Sequence, residues 1–213
     1  QSGRIGTQYY GTAGGYFNYA PPSGFLAMPT VSSQNVALAF KPDLVWVKNR
    51  TQANASVVVD SARGGDNTLY TNSTSAEVVG DTNGSIVSLN SPGFTVGAMC
   101  SGTTGTGNVN STGNNYSALA WAQSAISGVD IQTYASNGNV TKLVSHALGV
   151  VPDLIISKRT DSAGNWFVNL PNLSPGEYEK LNLTDARAVN GSPYSTDLIP
   201  VMTAGTKIGR AHV

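Results

Sequence analysis

Shifted by 110 positions, the chain aligns with itself. Without gaps, residues 37–79 lie over residues 147–189 with twelve of 43 positions identical. Ala37, Leu38, Pro42, Asp43, Leu44 and Lys48 recur as Ala147, Leu148, Pro152, Asp153, Leu154 and Lys158. Asn72, Thr74 and Ala76 recur as Asn182, Thr184 and Ala186. A repeat of this kind constrains the fold before any single residue does, because each copy is expected to build the same supersecondary unit. The second unit is expected to be truncated, since the counterpart of residues 116–123 falls beyond residue 220 of a 213-residue chain.

Each unit reads as β. Residues 44–48 and 154–158 are short apolar runs entered through Pro-Asp, a turn signal that releases the chain into an extended strand. Further strands are expected at 56–60, 86–89, 94–99, 118–123, 129–134, 142–145 and 166–170. Asn83-Gly84, Asn137-Gly138 and Asn190-Gly191 enter positive φ cheaply and mark tight turns. Residues 101–115 form a long Gly/Thr/Asn loop. One helix signal stands out. Ser174-Pro175-Gly176-Glu177 combines a cap residue, a proline for the first helical position and a Glu three residues on, so a short helix over 174–181 is expected. Strands at this spacing predict an all-β chain, an antiparallel β-sandwich of jelly-roll or lectin-like type in two internal repeats. The boundaries follow: the end of a preceding module over 1–30, a first sandwich over 31–127, and a second, truncated one over 128–213.

Composition narrows the function classes. Only 11 % of residues are charged, against roughly 25 % in an average soluble domain. Glycine, with 24 copies, fills part of the gap alongside Ser, Thr and Asn, which suits short strands joined by many turns. The formal net charge is zero and no basic stripe exists, so no footprint for nucleic acid is present. No apolar run reaches the roughly 18 residues of a membrane helix, and no signal peptide opens the chain. Cys100 is the lone cysteine and reads as a small apolar strand residue; no Cys/His cluster suggests a metal, and no cofactor is implied. Both ends look cut. Residues 208–213, Ile-Gly-Arg-Ala-His-Val, read like translated sequencing-adapter DNA, which leaves His146 as the dependable histidine.

Beyond the repeat, the motifs occur in a definite order. Residues 42–50 give Pro-Asp, an apolar strand with Trp46, and Lys48-Asn49-Arg50. Asp60-Ser61-Ala62-Arg63-Gly64, Asn72-Ser73-Thr74-Ser75-Ala76-Glu77, Asn90-Ser91-Pro92-Gly93-Phe94-Thr95-Val96-Gly97 and the 116–121 segment from Tyr116 to Trp121 follow. Over residues 36–190 this resembles a family of repeated β-sandwich modules in tail-fibre-like structural proteins of tailed bacteriophages. Upstream, residues 17–28 resemble the last strand of a SPRY-type, lectin-like sandwich; the strand that usually leads into the first repeat is shortened to 29–35. The resemblance implies a non-enzymatic virion module, extracellular on a phage tail, that attaches to host-surface glycan and is homotrimeric in the full fibre. It implies no catalytic residues and no metal. Two other readings stay open: a fragment of a polysaccharide-degrading glycoside hydrolase or depolymerase from a tailspike, and a carbohydrate-binding module from a bacterial cell surface.

Glycan cleavage requires two carboxylates flanking a groove, and the acidic residues supply no such pair. Asp43 and Asp153 follow proline at equivalent positions and read as turn residues. Asp60 reads as the partner of Arg63 or the cap of a turn, and Glu177 and Glu179 sit two apart on the expected helix. His146 precedes a strand, without a nucleophile elbow anywhere, and reads as a surface or turn residue. Among the aromatics, Trp46 and Trp121 are expected at or near the core. Trp166 follows the polar turn 161–165, so Trp166, Asn165 and Asp161 are the candidate carbohydrate contacts, with packing the competing role for the indole. Sugars lay their apolar C–H faces on aromatic rings while amides and carboxylates take the hydroxyls.

Overall fold

A computed structural model of the protein describes residues 33–81, 84–97, 108–136, 143–173 and 177–189, together with the backbone of four short strands outside them. The first two of these, β1 (Tyr9–Tyr10) and β2 (Tyr16–Phe17), pair with each other. Then come β3 (Gln34–Ala37), β4 (Leu44–Asn49), β5 (Val57–Asp60), β6 (Asn67–Tyr70) and β7 (Val78–Val79). They are followed by β8 (Ile86–Asn90), β9 (Gly93–Val96) and β10 (Tyr116–Trp121). The second half runs through β11 (Val144–Ser145), β12 (Ile155–Lys158), β13 (Trp166–Asn169), β14 (Glu177–Lys180) and β15 (Ala188–Val189). It ends with β16 (Val201–Met202) and β17 (Lys207–Gly209). All strand pairs are antiparallel, and no helix occurs among the described residues.

The first half is a sandwich. One sheet has the order β10-β4-β5-β6-β7 and the other β3-β9-β8. Between them lie Val45, Val47, Val57, Val59, Ile86, Phe94, Val96 and Val109, all buried, with Val36, Leu38, Tyr70, Leu89, Tyr116 and Ala120 packed around them. The two-residue period of a strand explains the choice: Val45, Val47 and Asn49 of β4 point inward, and Leu44, Trp46 and Lys48 point out. Full burial of Ile86 or Phe94 contributes roughly 1.5–3 kcal/mol each. Backbones approach closely at two glycines. Gly93, at φ +127°, stands where a Cβ would lie 2.1 Å from the carbonyl oxygen of Val36. A Cβ on Gly65 would lie 2.3 Å from that of Val87.

The second half contains a meander with the order β12-β13-β14-β15. Its pairings match those of β4 to β7 at a constant offset of 110. Val45 faces Val59, and Ile155 faces Asn169. Val57 faces Tyr70 as Phe167 faces Lys180, and Asn67 faces Val79 as Glu177 faces Val189. Side chains follow the same rule. Asn72 Oδ1 accepts the amide of Ser56 at 3.2 Å, and Asn182 Oδ1 accepts the amide of Trp166 at 2.8 Å.

The sequence expectations fail at several places. Residues 177–180 are strand β14 and not the expected helix; 174–176 lie outside the described residues. The local cap signal is overridden because β13 and β15 offer ladders on both sides, and Tyr178 sets its ring edge-on against Phe167 at 5.2 Å. Of the strand expected at 129–134, only an isolated bridge between Ser124 and Val129 forms. A terminus read as translated adapter predicts irregular structure over 203–213, yet Lys207–Gly209 pairs with β11 and β16. Cys100, Asn83, the turns at 137–138 and 190–191, and residues 101–107 of the 101–115 loop lie outside the described residues.

Candidate functional site

Polar side chains that looked chemically suggestive in the sequence are used to hold turns. Arg63 is nearly buried at the β5–β6 corner. Its Nε donates to Asp60 Oδ2 at 2.7 Å, and one terminal nitrogen donates to Glu77 Oε2 at 2.6 Å and to the Asn67 carbonyl at 2.8 Å. Asp60 Oδ1 also accepts the Arg63 amide at 2.9 Å. This charge-assisted fork ties three strands together, and it gives the Asp-Ser-x-Arg-Gly and downstream Glu motifs a structural job. Asp43 ties the ends of three strands. Its amide donates to the Trp121 carbonyl at 2.7 Å, its carbonyl accepts from Ser61 at 2.7 Å, and its carboxylate accepts the Gln123 amide at 2.8 Å.

His146 directly follows β11 and leads into the bend at 147–150, and it is buried, not on the surface. Its Nδ1 accepts the Leu148 amide at 3.3 Å, while Nε2 is buried with no hydrogen-bond partner. A shallow cleft lies over the 61–65 turn, lined by Lys41, Ser61, Gly64, Gly65, Val87, Ser88 and Leu89, with no carboxylate on its wall. Among the described residues, no group of three or more His, Cys, Asp or Glu side chains is placed to hold a metal ion.

The three candidate contacts are not brought together as an open site. Trp166 is only 6 % exposed, and its indole N–H donates to the Tyr70 carbonyl at 2.9 Å. It fastens the second meander to the first, the packing role and not the stacking one, so its ring is closed to a sugar. Around it, the Gly164 amide donates to the Thr74 carbonyl at 2.8 Å and the Glu77 amide donates to the Thr160 carbonyl at 2.9 Å. Asn165 Oδ1 accepts from Asn182 Nδ2 at 3.0 Å. Asp161 is open to solvent and paired with Arg159 at 2.6 Å; that hydrogen bond holds its carboxyl below the usual carboxylate range. Beside it, burial lowers the Lys158 ammonium, with Arg159 adding to the effect and Asp161 opposing it. The ammonium donates to the carbonyls of Arg159 and Thr74.

A better-shaped surface lies on the outer face of the five-stranded sheet. Strand β10 pairs with β4 so that Leu119 is opposite Trp46 and Trp121 is opposite Leu44. The inner partners are Ala118 with Val47 and Ala120 with Val45, so the four larger side chains share the outer face. Leu119 is 53 % exposed, and both indoles are partly open. Trp121 therefore is not a core residue. Lys48 and Ser117 extend the same face at one end, Lys48 donating to the carbonyl of Asn54. Just past the other end, Asp130 accepts from Gln123 at 2.9 Å and from Gln132 at 2.9 Å. Two diagonal tryptophans thus lie on one sheet face, with polar groups at both ends. The sequence signal for it was the shared face of Trp46 and Lys48: a strand does not place a lysine and a core indole on the same buried side.

No curated protein and no solved structure matches the chain. One family model spans both meanders, covering residues 14–210, and the chain belongs to that family, the domain of unknown function DUF7483.

Proposed function

We propose that the chain is a non-enzymatic attachment module of a virion, of the tail-fibre kind, and that it holds host-surface glycan against the Trp46/Trp121 platform. The observation that carries this reading is the pair of partly open indoles on the outer face of the β10–β4 ladder, with Leu119 between them in the same layer. Indole faces accept the C–H faces of sugar rings, and the amides and carboxylate at the strand ends are placed for hydroxyls. The sandwich beneath is stiffened by the Arg63 fork, so the platform is preorganised. One such surface binds weakly. Display on a trimeric fibre, extracellular on the phage tail, multiplies it through effective concentration.

The test is binding of purified chain to capsule or lipopolysaccharide from candidate host strains, followed by tryptophan emission. Trp46→Ala and Trp121→Ala are each expected to lower affinity at least tenfold while the protein stays folded. Unchanged binding in both variants overturns the platform assignment. Release of shortened oligosaccharides by the purified chain overturns the non-enzymatic reading and favours a depolymerase.

A further inference from the structure

We infer that the open edge of β12 is an acceptor for one extended, antiparallel strand of the β10 pattern, donated by a polypeptide segment not already held in a sheet. The inference rests on the shared register of the two meanders. In the first, β4 has β5 on one side and β10 on the other. In the second, β12 occupies the place of β4 and has β13 on one side; among the described residues nothing pairs with its other edge. An unpaired strand edge is a row of donors and acceptors that a further strand satisfies.

Side chains at that edge are arranged as if the strand were there. Leu154 is 53 % exposed and Ile156 is 41 % exposed, while the equivalent Leu44 and Trp46 are partly covered by Trp121 and Leu119. Transferring the β10 register by 110 positions puts a leucine opposite Ile156, an alanine opposite Ile155 and a tryptophan opposite Leu154. The larger side chains of such a strand cover the exposed apolar groups, and its small ones face the half-buried side. The anchor is repeated too. Asp43 binds the carbonyl of Trp121 through its amide and the amide of Gln123 through its carboxylate. Asp153 stands at the equivalent position, after Pro152, which is also buried, and its carboxylate is open to solvent. A donor of this pattern therefore meets an apolar stripe along the edge and a carboxylate at its end, which fixes both direction and register.

The probe is a synthetic peptide of residues 114–124, titrated onto the full chain with hydrogen exchange as readout. One peptide is expected to bind per chain, and those amides of Ile155–Lys158 that face the open edge are expected to slow in exchange at least tenfold. Asp153→Ala and Ile156→Lys change exposed side chains and leave the free protein folded; each should weaken the peptide at least tenfold. A peptide with lysine at the tryptophan position should fail to compete. Binding to Ile156→Lys as tight as to the unaltered chain overturns the inference. So does the absence of binding at millimolar peptide, or a free chain that self-associates through this edge and shows the slowed amides before peptide is added.

Discussion

Val45 and Ile155 hold the same place in two meanders, facing Val59 and Asn169 across the same ladder position. Val45 is wholly buried, whereas Ile155 is half-covered and its neighbour Ile156 lies open. Pairing alone does not make a core. The first meander is covered by the β3-β9-β8 layer and flanked by β10; among the described residues, no strand flanks the open edge of β12. Their polar corners differ in the same sense. Where the first encloses Arg63 between Asp60 and Glu77, the second has Leu173 in place of the arginine and Arg187 in place of the glutamate. Arg187 makes a half-exposed pair with Glu177 at 3.5 Å. Backbone hydrogen bonding is thus shared by the two halves, and the burial and the polar corners built on it are not.

Mutations at equivalent positions turn this comparison into a measurement. Arg63→Ala strands two carboxylates in a nearly buried corner and should lower the unfolding free energy by about 3–5 kcal/mol in denaturant titration. Arg187→Ala, at the exposed pair, should change it by less than about 1 kcal/mol. Equal losses in the two would mean that the second corner is as enclosed as the first. Val45→Ala removes two buried methyl groups and should cost about 2 kcal/mol, with Ile155→Ala costing less despite deleting more carbon. Asn72→Ala and Asn182→Ala remove the same side-chain-to-amide bond, and Asn182→Ala also removes the bond to Asn165, so thermal unfolding should report a loss of about 1 kcal/mol at the first and a larger one at the second.

The smallest effect belongs to Asp161. Its folded pKa is depressed by Arg159, so any stability it adds is present above the unfolded value and is lost as pH falls through the folded one. Both partners are open to solvent. Asp161→Asn should therefore leave the acid limb of the melting curve where it is; a displaced limb would show that the loop carrying Trp166 is more closed than described.

The sequence was most legible where a local pattern and a tertiary requirement coincide. Pro-Asp followed by an apolar run announced β4 and β12 within a residue or so, and Asp60 with Arg63 announced a paired turn. It misled where a local pattern stood alone. Ser174-Pro175-Gly176-Glu177 has the chemistry of a helix start, but the edge of β13 and the ring of Phe167 claim the residues that follow. Strand β6, Asn-Thr-Leu-Tyr, carries too little apolar pattern to be read locally, and the ladders of β5 and β7 define it. The site was misplaced for a related reason. Trp166 follows a polar turn, which suggested exposure, but that turn rests on residues 70–77 and carries the indole into the junction.

That junction equips the protein with its own optical probes. Trp166, enclosed and hydrogen-bonded through its ring nitrogen, should emit at shorter wavelength and resist collisional quenching by acrylamide. Trp46 and Trp121, partly open on the outer sheet face, should emit to the red and quench readily. One emission spectrum then separates two events. Loss of the blue, protected component marks the parting of the meanders, and a change confined to the red component marks an occupant arriving on the platform.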